Sequence, residues 1–551
     1  MARVAELSIE GYRSIKGCIK IRFPQNAPLI LVGENNAGKT NILRALDLIL
    51  GEYWPGSKEP EDHEFWQRDA LQGKIEITVT FDGMVGDAGT PLQSFVWTYN
   101  PKASKRCAFT GKSKQGHPIN YVRNEWRDQC ICVWVSADRR LSYHLGYSSK
   151  WTLLSKLMHK FHSSLIQDSS RVDRLKAKFH EIEEIFQEVE EFSSFQTGLA
   201  QQFGEMFSGM SYGLNVDFSA YDPSRFFRSL QVVPHENGER RTLEELGTGQ
   251  EQILALAFAH AYAKAFYGGI VLAIEEPEAH LHPLAQEWLA RKIHQMAADG
   301  LQIVITTHSP HFVDLMGLEG LVLVRKDDEN ATQVCQLTSQ QLVQHCLNTG
   351  SHRQKTNPDT ILPFYANQST QEILNGFFAK KIILVEGQTE QLALPVYFQK
   401  VVLDVTREGI EIVPVIGKGN LAKWWRLFTA YGIPVYVIFD NDCQDDNTGI
   451  KRKDALRALG VDEHNRDNYL ETDQWLITPK FSVFGKDFET TMRAQFKEYS
   501  QLEQEAKDLL GDSKPIVARY VATKLSAQNG DAGWKKWQEL KDAILNLDLS
   551  N

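Results

Sequence analysis

The chain has 551 residues, of which 42% are hydrophobic and 24% charged, and its formal net charge at pH 7 is −10. A chain of this length exceeds what one hydrophobic core usually serves, so we expect two or three domains, and the ordinary composition excludes long disorder. The acidic balance excludes a global attraction to nucleic acid, so any contact with DNA must come from local basic surface or from bound metal.

Cysteine usage and the apolar segments bear on the compartment. The seven cysteines include no CxxC pair, which argues against a disulfide framework and against a structural zinc site. The N-terminus has no apolar signal core, and the longest apolar window, residues 253–266, is interrupted by His260 and Lys264. We therefore expect a cytoplasmic protein without membrane contact.

The chain opens with two short predicted strands within residues 4–23, joined by a turn that contains Arg13. Residues 29–46 then predict a strand, a loop and a helix, and the loop Gly33–Thr40 fits the pattern G-x-x-x-x-G-K-S/T. In such a loop the glycines turn backbone amides toward phosphate, Lys39 reaches the terminal phosphates and Thr40 can ligate magnesium. The expected nucleotide contacts are Gly33, Asn36, Gly38, Lys39, Thr40 and Asn41.

A hairpin before a phosphate loop resembles the opening of the heads of SMC and RecF-like ATPases. In that resemblance Arg13 sits near nucleotide or DNA, and the alternative is a solvated turn arginine. Three further runs predict strands of a continuing antiparallel sheet, namely 74–81, 94–99 and 130–135. The polar pair Asp138–Arg139 then either faces the nucleotide or a dimer partner, or belongs to a surface loop.

Residues 151–207 are charged, nearly free of Gly and Pro, and carry apolar residues at helical spacing. They predict a helical insert, which is either a dimerisation module or a covering subdomain. The segment Leu246–Glu251 opens the next helix and resembles the signature of ABC-type ATPases, with Gly247 where serine is usual. The helix N-terminus and the residues Gly249 and Gln250 are expected to contact nucleotide.

An apolar strand, 270–274, ends in Glu275 and Glu276, which is the form of a Walker B motif. A carboxylate at Glu275 holds magnesium, and Glu276 is placed to orient or deprotonate the attacking water. His308 follows the next strand, as in the H-loop of ABC ATPases, and can donate to the γ-phosphate. His280 and His282 have no third ligand nearby in sequence, so we interpret them as loop histidines rather than a metal pair.

Residues 326–376 are polar and rich in Gln and Asn, which indicates a helical connector. The C-terminal part after it contains three predicted strands, of which the first and the third end in acids. Glu386 follows the first of these strands, and Asp440 and Asp442 follow the third. Because sites in parallel sheets form at the carboxyl ends of the strands, we expect these side chains to lie close together. Three adjacent carboxylates repel one another unless cations neutralise them, which indicates Mg²⁺ or Mn²⁺.

The pattern E-G-x-T-E, followed about fifty residues later by D-x-D, resembles the Toprim domain of topoisomerases, primases and certain nucleases. Glu390, one helical turn after Glu386, could help hold a second ion. An acid at Glu489 and a lysine at Lys514 suit two-metal phosphodiester hydrolysis, in which a cation stabilises the leaving oxygen.

These motifs predict an α/β chain: an ABC/SMC-like ATPase head with a helical insert, followed by a Toprim domain with a parallel, Rossmann-like sheet. The expected segments are an N-terminal ATPase lobe (1–150), the helical insert (151–210), a C-terminal ATPase lobe (211–345), a connector (346–378) and the Toprim domain (379–551).

This combination resembles the OLD (overcoming lysogenisation defect) family of nucleases, which includes the nuclease subunit of Gabija phage-defence systems. The resemblance implies a DNA endonuclease that nicks DNA, with ATP and Mg²⁺ (or Mn²⁺) as cofactors. It also implies a homodimer through the ATPase heads or a tetramer, and a partner protein in anti-phage defence. The residues expected in catalysis are Glu276, Glu386, Asp440, Asp442 and Lys514, and those expected to bind metal are Thr40, Glu275, Glu386, Glu390, Asp440, Asp442 and Glu489.

Two other functions stay open at this stage. The first is a DNA-repair ATPase in which the Toprim domain is a scaffold, although the intact set of carboxylates argues against it. The second is a topoisomerase or primase, although no zinc motif is present and no tyrosine can be singled out as a nucleophile.

Overall fold

The computed structural model describes residues 2–51, 53–71, 73–135 and 269–548, apart from 443–445 and 528–530, and part of 161–261. The predictions for Asp138–Arg139 and Gly249 lie outside the described residues. Residues that pack together form two units: one of Met1–Leu50, Trp54–Trp134 and Gly268–Asn551, and one of Gly51–Tyr53 and Val135–Tyr267.

The first 135 residues are mostly strands. They contain β1 (Arg3–Glu10), β2 (Ile19–Arg22), β3 (Leu29–Val32), β4 (Ile75–Asp87), β5 (Thr90–Tyr99), β6 (Cys107–Lys112), β7 (Pro118–Ile119) and β8 (Cys130–Val135), with helices α1 (Lys39–Leu50) and α2 (Asn124–Arg127). A six-stranded antiparallel sheet has the order β2-β1-β4-β5-β6-β7. The predicted N-terminal hairpin is confirmed, because β1 and β2 pair antiparallel.

The second unit is described only in part. It contains the helix α3 (Ser169–Gln187) and the short antiparallel strands β9 (His235–Glu236) and β10 (Glu239–Arg240). This helix confirms the helical structure that the spacing of apolar residues predicts for this stretch.

The phosphate loop belongs to a second six-stranded sheet of the first unit. After residue 268 the chain forms β11 (Gly269–Glu275), α4 (Pro283–Ala298), β12 (Gln302–Thr306), β13 (Leu321–Lys326) and β14 (Thr332–Gln336). The strand order is β14-β13-β3-β12-β11-β8, and β13, β3, β12 and β11 run parallel. The loops that follow β3, β11 and β12 therefore lie together at the carboxyl ends of the parallel strands, and these loops carry the predicted nucleotide motifs.

Two predictions about strands are corrected here. Cys130–Val135 was expected in the antiparallel sheet, but β8 lies at the edge of the phosphate-loop sheet. All six of its residues are buried, as in a strand covered on both faces. Thr332–Gln336 was expected in a helical connector and instead forms a strand antiparallel to β13. The reversal comes from a turn in which Asp327 accepts from the backbone N–H groups of Glu329 and Ala331.

The two sheets of the head enclose α1 and are joined by a buried side chain. The apolar face of α1, including Ile42, Leu46 and Ile49, packs in the core between them. Gln302, the first residue of β12, accepts from the N–H of Val4 at 2.8 Å and donates to the carbonyl of Val4 at 2.7 Å. Its amide therefore pairs with β1 as a neighbouring peptide group would.

The C-terminal part alternates strands and helices, as predicted. It contains α5 (Ser339–Asn348), α6 (Pro358–Gln368), α7 (Gln371–Leu374), β15 (Lys381–Val385), α8 (Gln388–Lys400), β16 (Ile410–Pro414), α9 (Lys418–Ala430), β17 (Val435–Asp440), α10 (Ile450–Ala458), α11 (Glu463–Leu470), β18 (Leu476–Ile477), β19 (Phe481–Phe484), α12 (Phe488–Gln495), α13 (Tyr499–Leu510), α14 (Lys514–Lys524) and α15 (Ala532–Leu545). The sheet order is β16-β15-β17-β19-β18, and only the pairing of β18 with β19 is antiparallel. Among the described residues, no helix combines the length and apolarity that crossing a membrane requires.

Candidate functional site

The phosphate loop needs both of its glycines. Gly33 has φ +140°, and a Cβ there would come within 2.1 Å of the carbonyl oxygen of Val324 in β13. Gly38 has φ +111°, and a Cβ there would lie 2.2 Å from the hydroxyl of Thr332 in β14. The neighbouring strands therefore approach the loop so closely that only glycine fits.

Lys39 and Thr40 begin α1 at this loop. The ammonium of Lys39 is buried and donates to the carbonyls of Gly33 (2.9 Å) and Glu34 (2.8 Å). Burial lowers the pKa of Lys39 to about 8, against the opposite effect of Glu276, Glu278 and Glu34. The loop thus carries a buried positive charge at the place where phosphate oxygens are expected.

The hydroxyl of Thr40 donates to Glu275 Oε1 at 2.5 Å. This contact joins the start of α1 to the end of β11, so the structure brings together the two side chains expected to bind magnesium in the head. Both present oxygen atoms, which are the ligands that this ion prefers.

Glu276 and His308 lie at the ends of β11 and β12. Glu276 has a left-handed backbone, with φ +48°, and its carboxylate lies 3.8 Å from the ring nitrogen Nε2 of His308. Burial and the nearby Lys39 lower the pKa of His308, while Glu276 opposes the shift. The neutral imidazole can therefore donate a hydrogen bond or accept one at this position.

Glu278 was not among the predicted site residues. Its carboxylate accepts from the hydroxyl of Thr307 at 2.9 Å and from the N–H of His308 at 2.6 Å, and burial raises its pKa. Glu278 therefore fixes the backbone that carries His308. The P-E-A run after Walker B was the available sequence signal, but nothing in it indicates which acid turns inward.

The turn between β1 and β2 also reaches the phosphate loop. Ser14 accepts from the side-chain amide of Asn41 at 2.7 Å, and this contact places the predicted residue Asn41 beside the loop. Arg13 instead contacts Glu64 at 3.6 Å and His63 at 3.1 Å. Its side chain is therefore held by acidic and imidazole groups of the following segment.

The predicted signature is described only at Gly247 and Gln250. Gln250 is exposed, and its side-chain oxygen accepts from the N–H of Gly247 at 3.1 Å. Asn36 has φ +62° within the phosphate loop, a conformation that asparagine tolerates. His282 caps α4 by accepting from the N–H of Ala285, in agreement with its interpretation as a loop histidine.

In the C-terminal domain the acids predicted at strand ends meet across neighbouring strands. Glu386 follows β15, and its Oε1 accepts from the N–H of Asp440 at the end of β17, at 2.8 Å. The carbonyl of Glu386 accepts from the N–H of Gly417 at 2.9 Å, after β16. Three adjacent strand ends are thus tied together around Glu386.

Burial makes these carboxylates costly to ionise. It raises the pKa of Glu386 and that of Glu390 to about 7, and Lys418 opposes both shifts. Burial, together with the charges of Glu390, Glu386 and Glu489, raises the pKa of Asp440 well above its usual value. Glu489 thus lies close enough to act on the other acids through its charge.

Asp440 Oδ1 is buried and has no hydrogen-bond partner among the described residues. A buried carboxylate oxygen without a donor costs free energy, so this atom calls for a proton or a cation. In the described part of the chain, no group of three or more His, Cys, Asp or Glu side chains has the geometry of a metal-binding site. The donor set nevertheless consists of hard oxygen atoms, which fit Mg²⁺ or Mn²⁺.

Lys418 is a site residue that sequence reasoning missed. It begins α9, its side chain is 6% exposed, and its ammonium contacts Asp442 Oδ1 and lies 3.8 Å from Glu386 Oε2. The ammonium also donates to the carbonyl of Asp442 at 3.1 Å. The run Gly-Lys-Gly-Asn after β16 was the available signal, but it reads as an ordinary loop.

Lys514 makes no direct contact with the predicted acids in the described part of the chain. It is exposed at the first turn of α14 and makes no ion pair with other described residues. Helices α8 and α14 pack together, and Lys400 at the end of α8 donates to the carbonyls of Thr523 and Leu525 at the end of α14. The helices therefore run in the same direction, and Lys514 lies at the same end of the pair as the start of α8.

Comparison with known proteins agrees with this architecture. Residues 3–132 and 135–313, more than half of the chain, match the family model of an AAA ATPase domain. Residues 377–442 match the model of an overcoming lysogenization defect protein-like TOPRIM domain, which includes Glu386, Asp440 and Asp442.

Two curated relatives match most of the chain. The OLD nuclease of Thermus scotoductus is 27% identical over 456 residues, which cover 79% of this chain and 81% of that protein. The Old nuclease of Escherichia phage P2 is 23% identical over 494 residues, covering 82% and 80%. The solved Smc head domain with an extended coiled coil from Pyrococcus furiosus is 15% identical, with a TM-score of 0.38, and covers 63% of this chain and 99% of that one.

The predicted α/β architecture of an ATPase head followed by a Toprim domain is confirmed by these domain matches and by the two parallel sheets. The chain therefore belongs to the AAA ATPase domain family described by the first model, and its residues 377–442 are similar to the OLD-like TOPRIM domain.

Proposed function

We propose that this protein is a divalent-metal-dependent DNA endonuclease that nicks DNA at the Toprim acids, under control of the nucleotide bound by the ATPase head. The observation that carries the proposal is the buried Oδ1 of Asp440 beside Glu386, which accepts a hydrogen bond from no residue in the described part of the chain. Such a group is costly in a purely structural role, and a cation among the carboxylates would remove the cost. The names of the two long relatives support the same activity.

The residues that would hold Mg²⁺ or Mn²⁺ are Glu386, Glu390, Asp440, Asp442 and Glu489. When bound, such an ion supplies Lewis acidity and lowers the pKa of water, so that phosphodiesters can be hydrolysed at neutral pH. The protein orients the ligands: the N–H of Asp440 fixes the carboxylate of Glu386, and the N–H of Gly417 fixes its backbone. Lys514 is proposed to stabilise the leaving oxygen from the start of α14.

In the head, Gly33, Asn36, Gly38, Lys39 and Asn41 are proposed to bind ATP, and Thr40 and Glu275 to hold its magnesium. Glu276 would orient the attacking water, and His308 would contact the γ-phosphate. By analogy with ABC heads, Gly249 and Gln250 would act on the nucleotide of a second subunit, so we infer a homodimer. A role in defence against phage follows from the family resemblance alone.

The test is a nicking assay on supercoiled plasmid with the purified full-length chain, with Mg²⁺ or Mn²⁺, and with or without ATP. We expect open-circular plasmid with nicks that ligase can seal. Asp440→Asn should abolish nicking but preserve ATP binding, because the two sites lie on different sheets. Asp462→Asn is the matched control, since Asp462 caps α11 and asparagine caps equally well.

The outcomes separate the functions considered. Nicking by Asp440→Asn would contradict the proposed site. DNA binding without cleavage by the wild-type protein would favour a repair ATPase with a scaffold Toprim domain. Covalent protein–DNA adducts would favour a topoisomerase.

A further inference from the structure

The Toprim acids contact a lysine that no part of the proposed hydrolysis uses. Lys418 is 6% exposed, and its ammonium contacts Asp442 through both the carboxylate and the backbone carbonyl. Lysine is almost never buried to this extent unless it is paired. Its position is set by the turn before α9, where Gly417 has φ +105°.

The ammonium contacts some of the acids directly and not others. On one side it contacts Asp442 and lies 3.8 Å from Glu386 Oε2. On the other side, Asp440 Oδ1 accepts a hydrogen bond from no described residue, and the charges of Glu390 and Glu489 act on its carboxyl group. Among the described residues, Asp442 therefore has a direct cationic partner, whereas no ammonium or guanidinium group contacts Asp440.

We infer that Lys418 is a built-in counter-ion that occupies the place of one divalent cation at Asp442 and must leave before an ion can bind there. The inference rests on the proposed metal site and adds a rule for its occupancy. The Asp440 side would fill first, and the Asp442 side would fill only by displacing the ammonium. Lys418 is thus a positioning residue that regulates how many cations the site holds.

The physical reason is charge repulsion. Two positive charges about 4 Å apart near a protein surface repel strongly enough to change an affinity by more than tenfold. An ion bound to Asp442 would be placed at such a distance from the ammonium if Lys418 did not move. Removal of the ammonium should therefore strengthen binding on the Asp442 side.

The first test measures binding of Mn²⁺ to metal-depleted, full-length protein by titration calorimetry. The Mn²⁺ ion that binds more weakly is the one expected on the Asp442 side. We expect Lys418→Met to bind this ion at least about tenfold more tightly than wild type, because the competing charge is gone. Lys423→Met is the matched control, since Lys423 lies on the same helix and its ammonium sits over the ring of Phe364. That variant should bind Mn²⁺ as wild type does.

The second test uses the wild-type protein alone and does not depend on the folding of a variant. Lys418 should be protected from an amine-acylating reagent in metal-depleted protein and should become several-fold more reactive when Mn²⁺ is added. Labelling of Lys423, read by mass spectrometry in the same sample, should not change.

The outcomes distinguish this inference from the proposed function. If wild type binds Mn²⁺ but Lys418→Met binds it no more tightly and Lys418 stays unreactive, the counter-ion role is wrong while the metal site stands. If neither protein binds Mn²⁺, the proposed metal site fails, and the inference fails with it.

Discussion

Ile416 has a backbone conformation that β-branched residues rarely adopt. Its φ is +56°, its side chain is 65% exposed, and it follows β16 directly before the turn to Lys418. Val402 shares both properties, with φ +58° and 90% exposure. The left-handed conformation costs a non-glycine residue roughly 1–2 kcal/mol, and neither side chain recovers that cost by burial.

Asparagine tolerates this conformation, so Ile416→Asn and Val402→Asn should each raise the free energy of unfolding by about 1 kcal/mol. Ile516→Asn is the control, because Ile516 is also exposed but lies in the regular helix α14. Urea denaturation measures all three. An equal change in the control would show that loss of exposed apolar surface, rather than relief of strain, is responsible.

The shifted pKa of Lys39 leads to a prediction about pH. In the protein without nucleotide this pKa is about 8, below the usual value for lysine, and bound phosphate should raise it again. Above pH 8, ATP binding must therefore take up a proton, so the affinity should fall with pH, by at most about tenfold per pH unit. Lys39→Arg keeps its charge and should show no such slope. Calorimetric titrations between pH 7 and 9.5 test this, and a flat wild-type profile would contradict it.

Individual site residues differed in how far the sequence revealed them. Glu386 and Asp440 were predictable because each ends an apolar strand, and parallel strands bring such ends together. Lys418, Glu278 and Ser14 were not, because their roles depend on which way a turn directs a side chain after neighbouring strands have paired. The spacing of residues along the sequence does not show that direction.

At the scale of elements, the helix pair α8 and α14 decides where Lys514 lies. Both helices run in the same direction, as the contacts of Lys400 with the end of α14 show. Lys514 therefore lies at the end of the helix pair where α8 starts, shortly after Glu386. This placement could not be read from the sequence, which separates the two helices by more than one hundred residues.

Lys514→Ala should lower the nicking rate by at least about tenfold, because a cation near the leaving oxygen stabilises charge that develops in the transition state. Binding of Mn²⁺ should be unchanged, since Lys514 contacts none of the acids directly. Lys524→Ala is the matched control at the opposite end of the same helix, and its nicking rate should equal that of wild type. A loss of activity in both variants would indicate a defect of the helix rather than of one end.

At the scale of the whole molecule, the segment before β15 lies against the phosphate loop, His308 and strand β13. Lys380 lies 3.9 Å from Glu34 of the phosphate loop, and the ring of Phe378 lies 6.4 Å from that of His308. Arg325 in β13 donates to the carbonyl of Ala379. Since Glu386 directly follows β15, these contacts form a short route from the nucleotide site to the Toprim acids.

Lys380→Met should reduce the effect of ATP on nicking while leaving the ATP-independent rate unchanged. The pair with Glu34 is exposed and worth no more than about 1 kcal/mol, so the change should be up to about fivefold. Lys355→Met removes an exposed lysine of the connector that has no contact with the phosphate loop, and it should behave as wild type. The ratio of nicking rates with and without ATP is the measurement, and an unchanged ratio in Lys380→Met would exclude this route.

The side-chain amide of Gln302 gives the head an unexpected point of sensitivity. This amide pairs with both the N–H and the carbonyl of Val4 in the other sheet. Hydrogen-bond polarity, and not only apolar packing, therefore sets how the two sheets align. Glutamate has the same shape but would turn an oxygen toward the carbonyl of Val4 and replace attraction with repulsion. Replacing Gln302, the first residue of β12, with glutamate would therefore weaken the contact between the two sheets of the head, while every nucleotide motif stayed intact.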